Sequence, residues 1–189
     1  MEFQKILENR TSVKNYSSKK PAIENIIKAI EVANLAPAAD NLQPLIYIVI
    51  EAPEKIGKIA DACQQQFINK APYVIVVCSN SKQLKIFDEN RAEKYIKHNV
   101  GAAIENFLLK ITELGLASCW VGAFSEITIR NLLNIPDSIN IEAFLPVGYE
   151  LVKGKTKQRF KRSLVNRIFF DSFGNKYYKP FIKIRRGDV

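Results

Sequence analysis

Residues 88–114 constrain the fold of this chain more than any other stretch. Ile96, Val100, Ala103, Ile104, Phe107, Leu108 and Ile111 recur at spacings of three and four, the repeat of one helical face. A stripe that long predicts a helix through the centre of a domain, with the rest of the chain packed around it. Gly115 follows where a helix commonly turns left-handed, a conformation glycine adopts without steric cost.

The other elements follow from the same periodicities. Phe3, Ile6 and Leu7 predict a short first helix. Ile23, Ile26, Ile27, Ile30, Ala33 and Leu35 predict a second, opened near Pro21 and stopped by Pro37. Between them lies a polar, basic joint, residues 9–20. Residues 45–50 and 73–78 are apolar, β-branched runs that read as buried strands, and the period of residues 54–68 between them is helical. Residues 116–121 read as strand, Ser125 is placed to cap a helix through Leu133, and residues 141–149 read as a fourth strand.

With 189 residues, 47% of them apolar, and neither a repeat nor a Gly/Ser linker, one core is expected to serve residues 1–189 as a single domain. Lys and Arg number 28 against 19 Asp and Glu, a net charge of +9, which calls for an anionic partner, phosphate above all, or serves solubility. Much of the excess begins at about residue 155, and the aromatics Phe169, Phe170, Phe173, Tyr177, Tyr178 and Phe181 follow it. Such an extension is expected to pack on the domain or on a partner subunit. Cys63, Cys78 and Cys119 form neither a C-x-x-C pair nor a disulfide framework, which favours the reducing cytoplasm and argues against a zinc site. The charged N-terminus and the short apolar runs, far below the ~20 residues of a membrane span, predict a soluble, unprocessed protein.

No catalytic triad can be assembled around the single histidine, His98, which sits inside the long helical stretch. Neither a G-x-x-x-x-G-K-[ST] loop nor G-x-G-x-x-G is present. A chain without side-chain acids and bases at a reacting centre borrows its chemistry from a cofactor.

Four segments, in order, carry a resemblance. They are Arg10-Thr11-Ser12-Val13-Lys14; Ala36-Pro37-Ala38-Ala39-Asp40-Asn41-Leu42-Gln43-Pro44; the stretch from Asn99 into Leu114-Gly115-Leu116-Ala117-Ser118-Cys119-Trp120-Val121-Gly122-Ala123-Phe124; and Leu145-Pro146-Val147-Gly148-Tyr149 with the basic segment after it. Together they resemble the FMN-dependent nitroreductase family, whose members take hydride from NADH or NADPH. The resemblance implies an α+β fold with a mixed, mainly antiparallel sheet flanked by helices, in an intertwined homodimer with the long helix in its interface and FMN between the subunits.

It also implies roles for particular residues. FMN carries a dianionic phosphate at one end and, at the other, a ring whose N1/O2 edge turns negative on reduction, so its pocket needs cations at both ends. Arg10 and Ser12, with Thr11 between them, match the phosphate contacts, and Lys14 matches the cation at the pyrimidine edge. Pro37, Ala38, Ala39 and Asn41 match the loop lent to the neighbouring subunit's flavin, with Ala38 where serine is usual and Leu45 where tryptophan is usual. Gln65 matches a glutamine at the pyrimidine edge, its register left open by the run Gln64-Gln65-Gln66. Gly122 and Ala123 match backbone donors to N5 and O4, and one or more of Arg159, Lys161 and Arg162 match cations that close over the phosphate. Taken alone, the same residues also read as a solvated joint, a helix-to-strand turn, an exposed helix face and a solvated charge run.

The activity implied is ping-pong hydride transfer from NAD(P)H through flavin N5 to a nitroaromatic, quinone or similar small-molecule acceptor, with no catalytic side chain and no metal. A dedicated flavin chemistry on one metabolite, such as oxidation or dehalogenation, is the alternative. A nucleic-acid-binding module built on the basic, aromatic tail is disfavoured, since no recognisable binding fold accompanies it.

Overall fold

Every residue from Tyr73 to Cys78 is buried, which requires a strand covered on both faces. The computed structural model describes residues 2–152, 163–164 and 167–176, and the chain divides into two units, residues 1–156 and 157–189. In the first, the elements run α1 (Phe3–Asn9), α2 (Ile23–Ala33), β1 (Leu45–Ile50), α3 (Pro53–Ala62), β2 (Tyr73–Asn80), α4 (Lys82–Phe87), α5 (Ala92–Glu113), β3 (Ala117–Ser118), α6 (Glu126–Leu133) and β4 (Ile139–Gly148). The sheet order is β1-β2-β4-β3 with every neighbouring pair antiparallel, and a parallel bridge from Ser12 to Ser118 lies outside the strands. The fold is α+β with a mainly antiparallel sheet, as expected.

The alternation of β2 divides two cores. Tyr73, Ile75 and Val77 face α2 and α5, packing against Ile26, Ala29, Ile96, Ala103, Ile104 and Phe107. Val74, Val76 and Cys78 face α3 and α6, packing against Ile56, Ile59 and Ile129. The long helix therefore lies along one face of the sheet, with nine of its side chains buried.

Several expectations change in the structure. Residues 45–50 read as a buried strand, but β1 has a neighbour on one side only and just Ile50 is buried. The helix expected over 54–68 ends at Ala62; Gln64 turns left-handed (φ 53°) and a 3-10 turn, Gln66–Lys70, brings the chain round to pair β2 antiparallel to β1. The long helix begins at Ala92 instead of Asp88, whose carboxylate accepts the Arg91 N–H at 3.1 Å, and the separate α4 precedes it. Ser125 does precede α6, but its hydroxyl pairs with Thr128 Oγ1 at 2.8 Å and caps no backbone N–H. Gly115 adopts the left-handed conformation expected of it (φ 71°).

A β-bulge places a charge. Val77 opposes Ala143 whereas Cys78 opposes Ile141, so Glu142 is the extra residue and the alternation of β4 reverses around it. Its side chain, 4% exposed, accepts from Lys97 of α5 at 2.6 Å and from Ser79 Oγ at 2.7 Å; a carboxylate so buried without partners would be strongly destabilising. In the second unit, residues 167–176 form a turn of their own. Phe170 N–H donates to Asn175 O at 2.9 Å, Asn175 Nδ2 donates back to Phe170 O at 2.9 Å, and the Phe169 and Phe173 rings lie 4.8 Å apart.

Candidate functional site

The polar joint after α1 is held to the sheet by its backbone. Val13 N–H donates to Ser118 O at 3.0 Å, Ser17 N–H to Tyr149 O at 2.9 Å, and Leu151 N–H to Asn15 O at 3.1 Å. Tyr16 locks the segment: its buried hydroxyl donates to Val13 O at 2.7 Å and reaches Pro146 O at 3.2 Å. Burial, and secondarily the Cys119 thiol, push this phenol well above its ordinary range, so it stays a donor.

Extended backbone sends alternate side chains to opposite sides. Val13 turns into a small apolar cluster with Tyr16, Ala71 and Ala117, while Ser12 and Lys14 are exposed. Lys14 Nζ lies 5.2 Å from the centre of the Phe67 ring. Both residues also act on buried Cys119: burial raises its thiol pKa most, while the Lys14 charge and a Ser12 hydrogen bond pull the other way.

Gln65 stands two residues before Phe67 at the turn after α3, where its N–H donates to Ala60 O at 3.0 Å. Gly122 and Ala123 are exposed and tied down on both sides. Val121 and Phe144 exchange two backbone hydrogen bonds at 2.9 Å, and Ser125 N–H donates to Ala62 O at 2.9 Å. Lys14 thus links two segments, lying over Phe67, two residues after Gln65, and acting with Ser12 on Cys119, which precedes Gly122 and Ala123 by three and four residues. The φ of Gly122 is not left-handed and a Cβ built on it meets no atom within 4 Å. Nothing within the described chain requires glycine there, as is also true of Gly101 in α5.

The remaining expected residues fall elsewhere. Arg10, 16% exposed, is held against α5 by an ion pair from Nε to Glu105 Oε1 at 3.4 Å, and Thr11 is half-buried beside it. Pro37, Ala38, Ala39 and Asn41 form an exposed to half-exposed loop in which Asp40 and Asn41 are both left-handed (φ 49° and 54°). Gln43 Nε2 donates to Asn41 Oδ1 at 3.0 Å. Among the described residues, no hydrogen bond or ion pair joins this loop to the group around Cys119. Arg159, Lys161 and Arg162 lie outside the described residues.

Sequence reasoning missed Glu105, Phe67 and Tyr16. Phe67 sits close enough to Gln65 to have been noticed, but Glu105 and Tyr16 act only through contacts that no local spacing marks. An open groove of about 620 Å³ between α3 and α6, lined by Lys58, Asp61, Gln64, Ser125, Thr128 and Asn131 among others, runs beside the Gln65 and Ala123 positions without containing either.

The model of the nitroreductase family matches residues 7–70 and 54–149. A protein of Archaeoglobus fulgidus, provisionally named NADH dehydrogenase/NAD(P)H nitroreductase, is 32% identical over 153 residues, 78% of this chain and 85% of its own. An iodotyrosine deiodinase of Thermotoga neapolitana is 25% identical over 170 residues, 76% and 86% of the two chains. The solved structure of an FMN-dependent nitroreductase from Clostridium difficile has the same fold, with a TM-score of 0.74 at 23% identity over 89% of this chain and 98% of that one. With the family model spanning most of the chain and the fold and the N-terminal joint arranged as described, this protein belongs to the nitroreductase family.

Proposed function

We propose that the protein is an FMN-dependent oxidoreductase that passes hydride from NAD(P)H through flavin N5 to a nitroaromatic, quinone or similar acceptor, the two substrates using one ring face in turn. The observation that carries this reading is the placement of Lys14 over Phe67, two residues from Gln65, and of Ser12 and Lys14 against Cys119, three residues before the exposed Gly122. Bound FMN supplies the two-electron chemistry that the side chains lack. Lys14 offers a cation to the pyrimidine edge, and the Gly122 and Ala123 N–H groups are donors for the N5 and O4 side. Arg10, Thr11 and Ser12 hold the phosphate, assisted by one or more of Arg159, Lys161 and Arg162.

The protein acts as a homodimer in which Pro37, Ala38, Ala39 and Asn41 serve the partner subunit's flavin. One feature supports this: Phe3, Leu7, Ile27 and Leu35 leave an apolar face exposed on and after α1 and α2. No helix among the described residues is long and apolar enough to cross a membrane, and three free, buried cysteines suit the cytoplasm.

An absorbance spectrum of the freshly purified protein tests the central claim. Bands in the blue and near ultraviolet, FMN released on denaturation, and NAD(P)H consumption that requires an acceptor are expected. A colourless protein that binds no added FMN would overturn the reading. The Thermotoga relative favours a second acceptor class, halogenated aromatics; steady-state comparison of a halotyrosine with a nitroaromatic on one preparation decides between them.

A further inference from the structure

Asn99 lies on α5, 4% exposed, among apolar neighbours. Its Nδ2 donates to Pro37 O at 2.8 Å, at the start of the loop that carries Ala38, Ala39 and Asn41. Among the described residues its Oδ1 is buried and meets no partner. A buried amide half of whose capacity is unmet is a poor choice for packing, because the unpaired oxygen loses its hydration without recompense. Leucine would fill a comparable volume without that penalty. The side chain is therefore explained by the single bond it makes, and that bond goes to the loop.

The loop needs such a hold. Asp40 and Asn41 are consecutive left-handed residues without being glycines, a conformation that Asp and Asn tolerate best among the other residues yet that still costs free energy. Within the loop Asn41 N–H donates to Ala38 O at 3.1 Å and Leu42 N–H to Ala39 O at 3.0 Å. At its far end Pro44 O accepts the Asn80 N–H of β2 at 2.8 Å. Proline has no N–H, so Pro37 can be fixed through its backbone only at the carbonyl, and Asn99 supplies that donor from the most deeply packed helix of the unit.

We infer that Asn99 is a positioning residue: its Nδ2–H···O bond to Pro37 sets the left-handed turn at Asp40 and Asn41 in the conformation that meets FMN. This rests on the flavin reading above and adds a residue to it.

Two variants separate the bond from mere packing. Asn99→Leu keeps volume and removes both the donor and the unpaired oxygen; Asn99→Asp keeps shape and, ionised, lacks the donor. Hydrogen exchange of the Asn41 and Leu42 amides in the flavin-free protein should quicken in both variants while exchange in β2 stays unchanged in Asn99→Leu. The FMN dissociation constant should rise roughly tenfold in both, the scale of one lost hydrogen bond, although the flavin-free Asn99→Leu protein melts no lower than the unaltered one. Unchanged exchange at Asn41 and Leu42 in either variant overturns the inference. So does unchanged FMN affinity in the face of quickened exchange, or a parallel fall of melting temperature and affinity in Asn99→Leu. If the unaltered protein binds no FMN while the loop amides respond as described, the flavin reading falls and the inference loses its ligand, though the hold on the loop stands.

Discussion

Single residues divide between the two ends of the proposed cofactor. Arg10 is nearly buried and already paired with Glu105, so its guanidinium is oriented before any phosphate arrives. Arg10→Ala is expected to weaken FMN binding by about 1.5–3 kcal/mol, the worth of a charge-assisted bond, and to flatten the salt dependence of the dissociation constant; titration at two ionic strengths measures both. Lys14 sits over Phe67 at the other end. Lys14→Ala should make the flavin harder to reduce, lowering its potential by on the order of 30 mV, because the cation facing the developing negative charge is gone. His98→Ala, on the exposed side of α5, should leave the rate of flavin reduction by NADH or NADPH nearly unchanged in stopped flow. Loss of reduction in a folded, FMN-loaded His98→Ala protein would require a proton-transfer step at that residue.

At the scale of elements, α6 depends on one side chain. Arg130 donates through Nη1 to the carbonyls of Ile135, Pro136 and Ile139, and through Nη2 to Glu126. It ties the end of α6, where Asn134 is left-handed (φ 52°), to the start of β4. These charge-assisted bonds are 18% exposed on the arginine side, so Arg130→Ala is expected to destabilise by about 2–3 kcal/mol, read as a lower urea midpoint with an unchanged m-value. The segment holding Gly122 and Ala123 enters α6 directly, so the variant should also bind FMN less tightly.

Across the whole molecule, burial keeps thiol and phenol groups neutral. Burial pushes the Cys63 and Cys78 thiols up to about 11 from 9.0 and the Tyr47 hydroxyl up to about 12 from 10.0. For Cys78 the neighbouring Glu142 adds to that rise and Arg130 opposes it. A folded thiol whose pKa lies above its unfolded value binds its proton more tightly when folded, so this stability is fully present below pH 9 and is lost as pH rises toward 11. The melting temperature should fall between those limits by on the order of 5 °C, in a pH scan by calorimetry. The same thiols should resist alkylation at pH 8 until the protein is unfolded.

What the sequence determined by itself was whatever depends on neighbours along the chain. The apolar stripe of α5 and the continuous apolar run of β2 are local repeats, and so is the left-handed turn at Gly115. The motif order around Arg10, Asn41 and Gly122 was legible for a similar reason: those segments are contiguous, and their spacing is the same folded or not. Only the tertiary structure decided who pairs with whom. No periodicity shows that residues 12–17 lie beside β3 and the end of β4, that α3 stops at Ala62, or that β1 is an edge. The same holds for the ion pair between Arg10 and Glu105 and for the bulge that turns Glu142 toward Lys97. These follow from which faces can be buried together and which buried polar groups must find partners, conditions that distant parts of the chain impose on one another once they meet.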